Sequence, residues 1–307
     1  MPGVCKRVEC RILCHILPVC RLSYLRMKFN TLFLCTLFAA AACHSLQPQT
    51  TPRHLTVLTY NIRYDNPDDG PDRWELRRNA LAAEVAARKP AIIGFQEVLA
   101  NQLAFLESRL GTYRRIGVGR DDGASKGEFS PIFFDTTLFQ LVSGQTFWLS
   151  TSPGVPGKAW DAALPRIATM AVLQDKCSGE HLWVLNTHFD HVGKTARLHS
   201  AELIMETLGP ALKNGKPVLF MGDLNTEPGE PPIAVIQRYL TDACPPAQSG
   251  TGTFNGFELS KTSAQRIDYV WYSAANWRVV QYAVPQPKIQ GRQVSDHFPV
   301  VVQLQQI

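Results

Sequence analysis

Past residue 43 the chain has almost no cysteine. Cys5, Cys10, Cys14, Cys20, Cys35 and Cys43 lie before that point, and only Cys177 and Cys244 lie after it. The early six have the spacing of neither a disulfide framework nor a structural zinc site. Cys177 and Cys244 are expected to be buried thiols, with pairing in an oxidising compartment as the alternative. Net charge is also missing from this part of the chain. The whole sequence carries +5, but Lys6, Arg7, Arg11, Arg21, Arg26 and Lys28 face only Glu9 among residues 1–42, which leaves 25 charges of each sign downstream. A neutral globular part lacks the overall basic field of a non-specific nucleic-acid binder, although a local basic groove stays open. Internal repeats and low-complexity runs are absent too. With 45% apolar and 19% charged residues, the composition excludes disordered, collagen-like and multi-span membrane classes. The 307 residues suffice for one large α/β domain.

The N-terminal region reads as an address rather than a fold. Met27-Lys28 opens an apolar stretch, Phe29 to Phe38, followed by Ala39–Ala42 and Cys43. A charged start, about ten apolar residues and a small-residue cleavage region are the anatomy of a secretory signal peptide. The stretch is short for a membrane-spanning helix, which needs about 20 apolar residues, and an uncleaved anchor is the weaker alternative. Ala40-Ala41-Ala42-Cys43 resembles the bacterial lipobox, with Ala40 in place of the usual leucine. The expected division is an upstream extension over 1–26, an export signal over 27–43, a polar linker over 44–53 and one globular domain over 54–307. Export implies a bacterial periplasm, an outer membrane reached through lipid on Cys43, or the cell exterior.

From residue 55 apolar runs alternate with amphipathic ones. Strands are predicted at 55–64, 91–98, 113–119, 130–134, 139–149, 167–175, 181–188, 217–222, 267–272, 278–284 and 299–304. Helices are predicted at 73–87, 101–110, 194–212 and 231–240; in the third, Leu198, Ala201, Met205 and Leu208 share one face. Several strands end on chemistry. Leu-Thr-Val-Leu-Thr-Tyr delivers Asn61, Ala-Ile-Ile-Gly-Phe-Gln delivers Glu97, Leu-Trp-Val-Leu-Asn-Thr delivers His188, and Pro-Val-Leu-Phe-Met-Gly delivers Asp223 and Asn225. Rigid strands that release polar side chains at their ends are how α/β folds gather a site from distant segments. Asp268 inside Ile-Asp-Tyr-Val-Trp would be costly to bury alone, so it calls for a partner.

Tyr60-Asn61-Ile62-Arg63, Gln96-Glu97-Val98, Asn186-Thr187-His188, Gly222-Asp223-Leu224-Asn225, Arg266-Ile267-Asp268-Tyr269 and Ser295-Asp296-His297-Phe298-Pro299-Val300 resemble, in order, the motifs of the endonuclease/exonuclease/phosphatase superfamily. The resemblance spans about residues 55–305. It implies a DNase I-like, four-layered α/β sandwich, with two packed mixed β-sheets flanked by helices. By resemblance Glu97 is the principal metal ligand, helped by Asn61 and Asp296. Asp223 activates water, Asn225 and His188 contact phosphate, and Asp268 orients a cationic His297. A carboxylate-rich set suits Mg²⁺, or Mn²⁺. His188-Phe189-Asp190-His191 looks superficially like a zinc cluster, but no further His/Cys group completes it.

The remaining features bear on substrate. Asp65–Gly70 with Asp72, Arg73, Trp74 and Arg77 is an acidic turn entering a helix, without EF-hand spacing. Gly117–Gly127, ending at Glu128, reads as a rim loop. Gly222 is expected to let backbone approach a ligand closely. Arg120, Arg166, Arg197 and His191 are candidate substrate contacts, although such arginines are more often ion-paired. Trp148, Trp160, Phe254 and Phe257 are candidate cleft aromatics. The expected activity is metal-assisted phosphodiester hydrolysis on a substrate of undefined class. Phosphomonoester hydrolysis on lipid or sugar phosphates is the alternative, and a non-catalytic binding protein on the same fold is the second. A monomer is expected, with no obligate protein partner. The motifs are most similar to those of exported bacterial members often left without a defined substrate.

Overall fold

A computed structural model describes residues 54–258 and 265–307. The extension, export signal and linker expected over 1–53, Cys43 included, lie outside these residues. In chain order the first elements are β1 (His54–Asn61), α1 (Trp74–Arg88), β2 (Ile92–Gln96), α2 (Ala100–Arg109), β3 (Tyr113–Ile116), β4 (Ile132–Asp135) and β5 (Phe139–Trp148). Then come β6 (Ile167–Asp175), β7 (His181–His188), α3 (Lys194–Lys213), β8 (Val218–Asp223), α4 (Pro231–Gln237) and β9 (Thr241–Asp242). The chain finishes with β10 (Asp268–Tyr272), β11 (Trp277–Ala283), β12 (Lys288–Ile289), β13 (Arg292–Gln293) and β14 (Val300–Gln306).

Two six-stranded sheets result, ordered β11-β14-β1-β2-β4-β3 and β5-β6-β7-β8-β10-β9. Each mixes antiparallel pairs with one parallel pair, β1–β2 in the first and β7–β8 in the second. Both central strands of each parallel pair are apolar on two faces, as burial on both sides demands. One face of each sheet meets the other in a shared core that includes Val57, Ile92, Val184, Leu219, Met221, Val270 and Val302. The outer faces are covered by helices. Leu81 and Val85 of α1 and Leu103 and Leu106 of α2 pack on Tyr60, Ile93 and Phe95. Ala201, Ile204, Met205 and Leu208 of α3 and Ile233 of α4 pack on Leu185, Val218 and Phe220. This is a four-layered α/β sandwich. Each fully buried aliphatic side chain contributes about 1.5–3 kcal/mol, so these layers dominate the stability.

The sheets are also joined by a polar contact. Gln96 Nε2 donates to Asn186 Oδ1 at 2.7 Å, while Asn186 Nδ2 donates to the carbonyls of Phe95 and Pro131 at 2.8 and 2.9 Å. Gly94 makes room for it, since a Cβ there would stand 2.6 Å from Asn186 Oδ1.

Some expectations are corrected. The first strand stops at Asn61 rather than Tyr64, because the chain turns through Arg63 at φ 55°. Cys177 is exposed and Cys244 half-buried, so they are not two buried thiols. The expected face of α3 does turn inward: Ala201, Met205 and Leu208 are buried in one cluster with Ile204, and Leu198 packs half-buried against it.

Candidate functional site

Strand register places the polar ends side by side. Asn61 pairs with Gln96, next to Glu97, and His188 pairs with Asp223 across the parallel β7–β8 ladder. Because β10 runs antiparallel to β8, its first residue, Asp268, also pairs with Asp223. Likewise β14 runs antiparallel to β1, which brings the preceding Asp296 and His297 to the Asn61 end. Asn61, Asp223, Asp268, Asp296, His188 and His297 are all under 10% exposed. Glu97 and Asn225 are half-buried and adopt left-handed φ values of 61° and 45°. Such strain in non-glycine residues persists where surrounding structure imposes a special geometry.

One amide ties the two sheets' contributions together. Asn61 Nδ2 donates to Glu97 Oε1 at 3.1 Å and to Asp223 Oδ2 at 2.9 Å. The same Asp223 oxygen lies 3.4 Å from His188 Nε2 and 3.6 Å from His297 Nε2. His297 Nδ1 meets Asp268 Oδ2 at 2.9 Å, which supplies the partner that a buried Asp268 requires. Asn225 Nδ2 donates to the Phe189 carbonyl at 3.0 Å and lies 3.1 Å from His188 Nε2. Glu97 Oε2 accepts from the Tyr64 amide at 3.1 Å, and Asp296 lies 3.9 Å from Arg63.

Burial shapes the charges. It pushes Asp223 up to about 7, with the neighbouring Asp268 charge adding to the shift. It also pushes Asp296 up to about 6; His297 opposes this and Glu97 reinforces it. Burial alone would neutralise His297, but the charges of Asp268 and Asp223 outweigh it and hold the ring well above its ordinary range. His188 goes the other way, driven well below that range by burial and by Arg166 and Arg120. One imidazole is therefore cationic and the other neutral.

A divalent cation fits the Glu97–Asp296 side. Two carboxylates supply hard oxygen donors, and burial raises Asp296 against the lowering effect of His297, with Glu97 adding to the rise. The Asn61 amide turns its Nδ2 to Glu97, while its Oδ1 accepts from the Arg63 N–H at 3.0 Å. Asp223, Asp268 and His297 also bring ligand atoms within 4.8 Å of one another. That cluster is better explained by the hydrogen bond between His297 and Asp268, since a metal there would have to displace the imidazolium proton. Asp190 is not a zinc ligand in waiting: its carboxylate accepts from the amides of Ala163, Leu164, Val192 and Gly193.

The candidate substrate contacts are largely engaged internally. Arg120 Nη1 pairs with Glu128 at 2.7 Å, Arg166 with Asp190 at 3.3 Å, and Arg197 Nη1 donates to the Asp190 carbonyl at 3.0 Å. All three arginines are buried, whereas His191 is exposed, with Nδ1 3.0 Å from Arg166 Nη2. Trp148 is buried and donates to the Arg120 carbonyl at 2.7 Å, and Trp160 stacks on His199. Phe254 meets His297 edge-on at 4.9 Å. In the acidic turn, Asp69 holds Arg63 and Asp72 holds Arg292, so these carboxylates already have cations. Gly222, at φ 148°, admits the neighbouring strand rather than a ligand: its Cβ would stand 2.1 Å from the Thr187 carbonyl oxygen.

Sequence reasoning missed Glu128 as a member of the site. Its carboxylate lies 3.9 Å from His188 Nδ1 and bonds Arg120; burial and then the Glu97 charge push it up. The available signal was an acid just ahead of the buried run from Phe129 to Phe134, the same grammar that marked Glu97.

Stacked sheets with carboxylates, amides and a charged imidazole gathered at one set of strand ends define a layered α/β hydrolase. The endonuclease/exonuclease/phosphatase family model matches residues 58–297, and the chain belongs to that family of phosphoester hydrolases. A family protein from Bacteroides thetaiotaomicron is 34% identical, with a TM-score of 0.77 over 83% of this chain and 99% of its own. The mannosyl-6-phosphatase of Bacteroides thetaiotaomicron VPI-5482 is 35% identical, with a TM-score of 0.76 over 81% of this chain and 99% of its own. A probable RNA exonuclease of Saccharomyces cerevisiae is 27% identical over 212 residues, 61% of this chain; the match spans 40% of that relative's length.

Proposed function

We propose that this chain hydrolyses phosphoesters by in-line attack of water, with a divalent cation, Mg²⁺ or Mn²⁺, held by Glu97, Asn61 and Asp296. The observation that carries this reading is the position of Asp223. Its carboxylate lies 2.9 Å from the Asn61 amide, which also binds Glu97, and within 3.4–3.6 Å of both site imidazoles. An acid raised towards neutrality by burial is suited to take a proton from water near pH 7. As the water oxygen bonds to phosphorus, the bond to the leaving alcohol's oxygen breaks and Asp223 receives the water proton. The bound cation would neutralise phosphate charge and stabilise the leaving oxygen. His297, kept cationic by Asp268, faces the charge that grows on the phosphoryl oxygens, and neutral His188 and Asn225 donate to it.

For the substrate class, carbohydrate phosphate monoesters come first. The 35% identical Bacteroides relative, which this chain covers almost end to end, is a mannosyl-6-phosphatase. Arg120 and Arg166 are consumed by internal ion pairs, and net charge beyond residue 42 is zero, so a polynucleotide backbone has little to hold it. Phosphodiesters, ranked first on sequence alone, remain the second reading, supported by the yeast match. Export through residues 27–43 and lipid on Cys43 belong to the same proposal; mass spectrometry of the mature N-terminus tests both. For the chemistry, the protein is assayed on sugar phosphates, bis-p-nitrophenyl phosphate, RNA and DNA with Mg²⁺, Mn²⁺ or EDTA. Release of phosphate from sugar phosphates that stops in EDTA and in Asp223→Ala is expected. Turnover that survives either would sink the mechanism.

A further inference from the structure

Arg77, on the first turn of α1, is 1% exposed, and the chemistry above does not use it. Its guanidinium donates to the carbonyls of Asp72 at 2.8 Å, Arg63 at 2.8 Å, Val294 at 3.3 Å, and Ile62. These acceptors come from three separate stretches of chain. Ile62 and Arg63 directly follow Asn61, and Val294 stands two residues ahead of Asp296. The rings of Trp74 and Phe257 lie 5.2 and 5.7 Å from its Cζ and close the space around it. Ser295 Oγ adds a second tie across the same seam, donating to the Asn61 carbonyl at 2.8 Å.

A buried cation is an expensive way to fill space, because leaving water costs several kcal/mol and an apolar side chain of equal volume would avoid it. What an arginine supplies that methionine or lysine cannot is a rigid planar fork of five donors. Here the fork bridges the two backbone segments that carry Asn61 and Asp296. We propose that Arg77 is a positioning residue: it clamps the segment after Asn61 to the segment before Asp296 and so fixes the separation of the cation ligands on them. The inference rests on the reading of Asn61, Glu97 and Asp296 as cation ligands.

The test compares the full-length protein with Arg77→Lys, Arg77→Gln and Ser295→Ala. Mn²⁺ affinity is measured by calorimetry without substrate, alongside melting temperature, kcat and KM, and amide hydrogen exchange at 61–64 and 293–297. Both Arg77 variants should bind Mn²⁺ about 10–100-fold more weakly, the usual loss when a support behind a metal ligand is removed. Ser295→Ala should weaken binding in the same sense but less. kcat should fall with KM little changed, and exchange should quicken at both segments. If Arg77 acts through charge, Arg77→Gln binds Mn²⁺ more tightly while Arg77→Lys matches the parent, and the clamp is overturned. Lower melting temperatures with unchanged Mn²⁺ affinity and exchange would make Arg77 mere filler and also overturn it. Should neither Arg77 variant fold, Ser295→Ala decides, and unchanged affinity there counts against the clamp. A parent protein that binds no Mn²⁺ removes the hydrolase reading, and the exchange rates in Arg77→Lys then decide the clamp by themselves.

Discussion

His297 stands between two carboxylates, with Nδ1 2.9 Å from Asp268 Oδ2 and Nε2 3.6 Å from Asp223 Oδ2. The ring's charge depends first on Asp268, which directly accepts its Nδ1 proton. Asp268→Asn keeps the shape and removes that charge. kcat should fall about 10²–10⁴-fold, the scale seen when a carboxylate behind a working histidine is neutralised. KM should change little, and kinetics at saturating substrate with unchanged circular dichroism would check this.

Stability of cation-stripped protein should fall as pH rises. Asp223 and Asp296 sit at about 7 and about 6 when folded, against an ordinary 3.8. Each binds its proton more tightly folded than unfolded, so their contribution is full below about pH 3.8 and is lost as pH climbs through 6–7. His297, also raised, acts in the same sense: its contribution is present below about 6.5 and lost as pH rises through its higher folded value. In EDTA the melting temperature should be lower at pH 8 than at pH 5.5, and Mn²⁺ should restore it. A flat profile would refute this.

The same reasoning separates stability from activity at Asp223. Asp223→Asn removes a buried charge while retaining an amide that can bond. Hydrolysis should drop about 10²–10⁴-fold, the usual contribution of a general base. At pH 8 in EDTA the variant should melt above the parent, by about 2–4 °C for each kcal/mol of relieved repulsion. Calorimetry decides it.

Glu128 anchors Arg120 and faces His188. Glu128→Ala leaves a buried guanidinium without its carboxylate and should cost about 1–3 kcal/mol in urea unfolding. Glu128→Gln keeps a hydrogen-bond acceptor and should retain most of that stability while lowering kcat. Equal losses of stability in the two variants would contradict the assignment.

Two glycines should respond unequally to alanine. At Gly94 the obstructing atoms are side-chain ones, Met221 Cγ and the Asn186 amide that its hydrogen bonds hold in place, so Gly94→Ala should cost about 1–3 kcal/mol. At Gly222 the obstruction is a carbonyl on the neighbouring strand, 2.1 Å from the new Cβ, and φ is 148°. Gly222→Ala should be clearly worse than Gly94→Ala, as urea midpoints would show.

Most elements were legible in the sequence because they are long enough to show a period. All eleven predicted strands and four predicted helices have counterparts among the described elements. The two-residue strands β9, β12 and β13 were not, since two residues carry no alternation. The site residues were readable as strand ends, but their adjacency was not. The pairing of Asp268 with Asp223 depends on β10 running antiparallel to β8, a long-range choice that no local window contains. Arg77 reads in sequence only as part of an acidic turn, because its acceptors are backbone carbonyls, which leave no trace in residue identity. Glu128 was not legible, because it closes the glycine-rich run Gly117–Gly127, whose composition is that of a rim loop rather than of a strand.

The Asn61 amide that binds Glu97 and Asp223 bridges residues delivered by different sheets. Glu97, Asn61 and Asp296 come from the first sheet's strands and their flanks; His188, Asp223 and Asp268 come from the second. Neither half is a smaller version of the whole. The site geometry therefore exists only once the two sheets have docked. A collapsed intermediate with both sheets formed but unpaired should be inert, so regained turnover after refolding times the docking event itself.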